Sequence, residues 1–191
     1  MEPDYSALIS AFVGSIATKE GDISWMYLDV FGNVTIARGH LLRTAEAALL
    51  LPWNKRYSTD LIRHEFAKVL AMVPADKSQL RHRGARFYEN ATALRLTADE
   101  SLQVTETDVE EFIHQLARAL PEYHTYPIGP QFAILDLAYN CGVHGFMSGM
   151  TQCVKAIQAR DWRAAAQLCH RAAPISDERN RATAERFLEA A

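Results

Sequence analysis

The sequence predicts a predominantly helical α+β protein with one small β-hairpin near its N-terminus. Two observations carry that expectation. Before Arg43, two short extended runs flank a Gly-Asn turn; after it, apolar spacing and cap residues read as helix. The chain has 191 residues, 49% hydrophobic and 23% charged, which is enough to bury a core and does not have the composition of a disordered chain.

Tyr5, Leu8, Ile9, Phe12, Val13 and Ile16 recur at helical spacing behind Pro3, giving a first helix over 4–19. The runs Trp25–Val30 and Val34–Ile36 enclose Phe31-Gly32-Asn33 and define a hairpin region over 20–42. An expanded helical stretch follows over 43–95, where Ser58 or Thr59 caps a helix through Leu70 and Pro74 closes it. Thr97-Ala98-Asp99-Glu100 has capping-box spacing and opens a region running to Leu120, the first part of a helical stretch over about 96–191. Pro121, Pro127 and Pro130 precede the apolar stretch Gln131–Tyr139, and Ser148, Asp161 and Ser176 read as caps of three closing helices. With no repeat and no Gly/Ser-rich linker, residues 1–191 read as a single domain.

Charge and cysteine usage exclude several function classes. Twenty Lys and Arg against 23 Asp and Glu leave a net charge of −3, without the basic excess of a nucleic-acid binder. Cys141, Cys153 and Cys169 are too few and too uneven for a disulfide scaffold. Cys141-x-x-His144 is one short pair, and His64-Glu65 opens a zinc-protease pattern whose second histidine position holds Lys68, so no metal site is expected. The acidic start Met1-Glu2-Pro3-Asp4 lacks the features of an export signal, and no apolar run is long enough for membrane insertion. The expectation is synthesis in the cytoplasm without a signal peptide.

The chemically informative residues are Glu20 at the end of the first helix, Asp29 at the end of the first extended run and Thr35 on the returning strand. A hairpin folded against that helix end brings two carboxyls and a hydroxyl around one cleft. Glycosidic cleavage needs such a pair, an acid for the leaving oxygen and a carboxylate that stabilises positive charge or activates water.

These residues resemble those of the T-even phage lysozymes and related endolysins. That family has a Glu, an Asp nine positions on and a Thr six further, followed by Thr-Ile-Gly-x-Gly-His. Here the run is Thr35-Ile36-Ala37-Arg38-Gly39-His40, with Ala37 replacing the first glycine. Downstream, Phe132–Gly142 resembles the central helix of the family's C-terminal lobe, with Asn140 at the position of a cleft-facing polar group. Asp161-Trp162-Arg163-Ala164-Ala165-Ala166 resembles a further family helix. Asn180-Arg181-Ala182 matches a segment whose Arg approaches the catalytic Glu, which makes Arg181 the partner of Glu20. The longer middle and Ile175–Asn180 are more similar to the pesticin-type lysozyme-like toxin domain.

The resemblance implies a two-lobed lysozyme fold with a hairpin region in the N-terminal lobe and a helical C-terminal lobe. It implies a muramidase that cuts the β-1,4 bond between N-acetylmuramic acid and N-acetylglucosamine, with no metal or organic cofactor. Glu20 is the acid, its pKa raised by burial and lowered by Arg181, while Asp29 and Thr35 orient water. Inversion is implied, which needs carboxyls roughly 6.5–9.5 Å apart, against about 5–5.5 Å for a retaining route. Peptidoglycan glycan strands are the expected partner, with a cognate immunity protein or delivery component; nucleic acid is not expected. The site of action is the periplasm or cell wall, for an antibacterial effector or a phage endolysin. His40 reads as a hydrogen-bonding or ion-pairing histidine rather than a base. Asn140 and Arg181 also fit a backbone-satisfying amide and a surface charge. Arg81–Arg86 is a basic cluster, either a solvated face or a site of attraction to the wall.

Overall fold

The computed structural model describes residues 3–17, 22–172 and 175–191. It is a mostly helical chain with a small three-strand antiparallel sheet near the N-terminus. The chain divides into two compact units, Val13–Asp108 and Met1–Phe12 with Val109–Ala191.

The sheet belongs to the first unit. Strand β1 (Ile23–Leu28) pairs with β2 (Val34–Ala37), with Tyr27 opposite Thr35 and Leu28 opposite Val34. The expected hairpin gains a third strand, β3 (His40–Leu42), which pairs Leu41 with Thr35 and His40 with Ile36. Three residues are too few for an alternation to show in sequence. Ala37 turns the chain between β2 and β3 at φ 53, in the left-handed region. A residue with a Cβ carries roughly 1–2 kcal/mol of strain there.

Met26, Leu28, Val34, Ile36 and Leu42 form the buried side of the sheet. Helix α2 (Ala45–Leu49), a 3-10 turn over Pro52–Lys55 and helix α3 (Thr59–Leu70) cover it. Trp53 is fully buried and donates its indole N–H to the Ala48 carbonyl at 2.8 Å. In α3 the residues at i, i+3, i+4 and i+7, namely Ile62, Glu65, Phe66 and Val69, face inward, and Ser58 caps the helix. Glu65 is buried, which pushes its pKa up. Hydrogen bonds from Lys68 (2.9 Å) and the Ala93 N–H (2.7 Å) outweigh that and leave it below the usual value. Through this carboxylate α3 holds a non-helical segment, so the helical expectation for all of 43–95 is corrected. After 3-10 turns at Lys77–His82 and Ala85–Tyr88 the chain is irregular to residue 97.

The second unit is helical. Helix α1 (Ser6–Ala17) begins in it, and helix α4 (Ala98–Ala119) ends in it. At the start of α4 the capping box is complete: Glu100 N–H donates to the Thr97 hydroxyl, and Thr97 N–H donates to the Glu100 carboxylate. Helix α5 (Ile128–Gly149) breaks at Gly142, and α6 (Thr151–Gln158), α7 (Trp162–Leu168) and α8 (Asp177–Leu188) follow. Asp161 and Ser176 cap α7 and α8 as expected. Ser148 does not cap α6; its hydroxyl donates to the His144 carbonyl one turn back within α5. Tyr126, Trp162 and Phe187 form an aromatic series with centroid distances of 5.3 and 6.3 Å. Among the described residues no helix is long and apolar enough to cross a membrane.

Candidate active site

Asp29 follows β1 directly and organises the hairpin turn. Its Oδ1 accepts the backbone N–H groups of Phe31 (2.8 Å) and Asn33 (2.9 Å), and its Oδ2 accepts the Asn33 side-chain amide (2.9 Å). The backbone closes the same turn, with Asp29 N–H donating to Asn33 O and Gly32 N–H to Asp29 O. Gly32 sits at φ 89, a conformation that costs glycine little. The short polar side chain and the glycine explain locally why the chain reverses here. They also hold the carboxylate in one orientation.

Thr35 lies opposite Tyr27. Asp29 lies one residue past the end of β1, and it is Asn33, bonded to Asp29 and accepting from Thr35, that connects the two. Thr35 is only 4% exposed, and its hydroxyl donates to the Asn33 carbonyl at 3.3 Å. The turn that orients Asp29 thus also engages Thr35, with Asn33 linking the two. Glu20, the expected acid, lies outside the described residues. Two residues on in the chain, Asp22 accepts a hydrogen bond from Ser101 and lies 3.7 Å from Arg38, whose side chain is 11% exposed.

His40 begins β3 with Nδ1 2.8 and 2.9 Å from the two carboxylate oxygens of Asp108 on α4. The hydrogen bond ties β3 to α4. The sequence had no means of naming Asp108, which lies 68 residues away.

In the second unit, Asn140 donates its amide to the Asp136 carbonyl one turn back in α5 (2.8 Å), which fits the backbone-satisfying alternative. Arg181 is exposed on α8 and lines a shallow groove with His170, Asp177 and Ala184. Its expected partner, Glu20, is outside the described residues.

The tightest charge cluster of this unit was absent from the sequence-based candidates. Asp136 is 3% exposed. It pairs with Arg171 at 2.8 Å and with Arg179 at 2.9 Å, and the Thr183 hydroxyl lies 2.7 Å from its Oδ2. Burial pushes its pKa up, but the two guanidinium charges and the hydrogen bonds from Arg179 and Thr183 hold it below the usual value. Asn180 completes the network: its Oδ1 accepts from the Arg171 backbone N–H and its Nδ2 donates to the Arg171 carbonyl. A lone acid inside the apolar run Phe132–Leu137 is the signal that marks such a site.

The thiols offer little nucleophilic chemistry. Burial pushes Cys153 up to about 12 and raises Cys141 and Cys169 as well. Among the described residues no group of three or more His, Cys, Asp or Glu side chains is placed to hold a metal ion. Compared with models of known protein families and with curated proteins, the chain matches none.

Proposed function

We propose that this chain is a peptidoglycan hydrolase of the lysozyme type, cutting the β-1,4 bond between N-acetylmuramic acid and N-acetylglucosamine. The observation that carries the reading is the hairpin turn. Asp29 is held there as a fixed acceptor and is linked through Asn33 to Thr35, at the spacing from Glu20 that the phage lysozymes share. Two of the three lone-pair contacts on Asp29 involve Oδ1, so Oδ2, with one contact, is the oxygen that receives a water. Glu20 then protonates the leaving oxygen as the Asp29-oriented water attacks, and the anomeric configuration inverts. In this reading Val13–Asp108 corresponds to the hairpin lobe of a lysozyme fold and the second unit to its helical lobe. An antibacterial effector is the favoured setting, with peptidoglycan as substrate and an immunity protein as the protective partner. A phage endolysin would perform the same chemistry.

A second reading has support from one observation. Thr35 is nearly covered and its hydroxyl is engaged by Asn33, which suits a wall-binding module that has lost catalysis. Mass analysis of digested, purified peptidoglycan separates the two. The hydrolase releases fragments with new reducing-end N-acetylmuramic acid, and Glu20→Gln abolishes them. Intact glycan after prolonged incubation favours the binding module, and cleavage undiminished in Glu20→Gln rules out the assigned acid.

A further inference from the structure

The hairpin tip carries two large apolar side chains in the open, Val30 at 50% and Phe31 at 72% exposure. Facing them is the 3-10 turn Lys77–His82, and together they line a groove of about 860 Å³ with Lys77, Ser78, Arg81 and His82. A side chain added at Gly32 would meet Leu80 at 3.4 Å and Val73 at 3.6 Å, so the hairpin tip lies close to these residues, and Leu80 is 1% exposed. One side of the groove is apolar and the other cationic.

Among the described residues, no carboxylate forms an ion pair with Lys77 or Arg81. Asp76, next to Lys77, accepts the Ser78 N–H at 3.0 Å, and Asp29 Oδ1 accepts the N–H groups of Phe31 and Asn33. Arg83, by contrast, is spent on its own neighbours, donating to Gln79 and Met72 and stacking on Phe87 at 4.9 Å. Lys77 and Arg81 are exposed.

We propose that this groove is a subsite for the carboxylate-bearing peptide branch of the glycan, with Lys77 and Arg81 receiving its carboxylates and Val30 and Phe31 its methyl groups. The proposal rests on the muramidase reading, since it extends the substrate contact from the same turn. Phe31 is joined to Asp29 by a 2.8 Å hydrogen bond, so a ligand held at the groove acts on the loop that aims the carboxylate. A concave surface with apolar and cationic walls suits a branched chain better than a flat bilayer.

The test is calorimetric titration of the full chain with a soluble disaccharide-tetrapeptide, with the same fragment carrying amidated carboxylates, and with peptide-free chitotetraose. The expected result is binding of the free acid about threefold to tenfold tighter than the amide, the effect of two exposed ion pairs. Lys77→Gln with Arg81→Gln should erase that difference, and Phe31→Ser should weaken both peptide fragments. Equal affinity for acid and amide, or a preference that survives the double substitution, overturns the subsite. Binding to phosphatidylglycerol vesicles that depends on Lys77 and Arg81, without acid-over-amide preference, overturns it in favour of a membrane surface. Because the titration reads binding alone, carboxylate-dependent affinity in a protein that releases no reducing sugar supports the groove and removes the hydrolase reading.

Discussion

At Asp29 the two carboxylate oxygens differ in what they hold. Oδ1 accepts two backbone N–H groups, whereas Oδ2 accepts one side-chain amide that can rotate away. Structural and chemical roles therefore separate by substitution. Asp29→Asn keeps an oxygen for the backbone donors but removes the charge. It should lower muramidase turnover by about 10²-fold or more with little change in unfolding midpoint. Asp29→Ala also releases the turn and should cost about 1 kcal/mol of stability in addition. Paired activity and thermal-unfolding measurements check this. An Asp29→Asn protein that keeps full activity would leave the residue with the turn alone. Asp29 was legible in the sequence as a carboxylate at the end of an extended run. Its anchoring by Phe31 and Asn33 was not, since it depends on backbone atoms that only the closed turn brings together.

Among the elements, α5 and α8 meet where Gly129 leaves no room for a side chain. A Cβ there would lie 2.5 Å from the Arg186 carbonyl and would also strike the Glu189 carboxylate. The carbonyl is backbone and cannot step aside, so Gly129→Ala must push the end of α8 away. It should destabilise the protein by about 1–3 kcal/mol in urea unfolding. Gly149→Ala, which meets nothing within 4 Å, should stay within about 0.5 kcal/mol of wild type. Equal effects would mean that the close approach is not what Gly129 serves. Helix starts were readable at Ser58, Thr97, Asp161 and Ser176, where a cap side chain faces its own helix, whereas the Thr44 cap of α2 was not read. Ser148 has the same residue type, but it lies inside α5, where its hydroxyl turns back to His144. Local chemistry alone does not distinguish these two uses of serine.

Across the molecule, stability in acid should depend on Asp136, which joins α5 to α8 and to Arg171 before it. Its carboxyl pKa is held below the ordinary 3.8 in the folded state. A depressed pKa contributes stability that is fully present above the unfolded value and is lost as pH falls through the folded one. Asp136→Asn removes the carboxylate that faces the buried Arg171 and the half-buried Arg179, and should cost about 3–5 kcal/mol at pH 7. The gap from wild type should be unchanged at pH 5 and narrow at pH 3, as measured by urea unfolding at each pH. A gap that stays constant to pH 3 would show that the carboxylate's charge is not what holds the cluster.

The sequence by itself determined the mostly helical class of fold with a small sheet, the position of the hairpin and most of the caps. Each of these rests on interactions spanning a few residues, which composition and periodicity record directly. Tertiary structure alone decided that Asp108 faces His40, that Glu65 holds the irregular segment near Ala93, and that Asp136 sits between Arg171 and Arg179. It also placed the exposed Phe31 opposite Lys77 and Arg81. These partners are separated by tens of residues, and no local pattern encodes which distant charge a buried carboxylate meets. The pairing is set by how helices and strands pack, because a charge removed from water must find its counterpart within the folded chain.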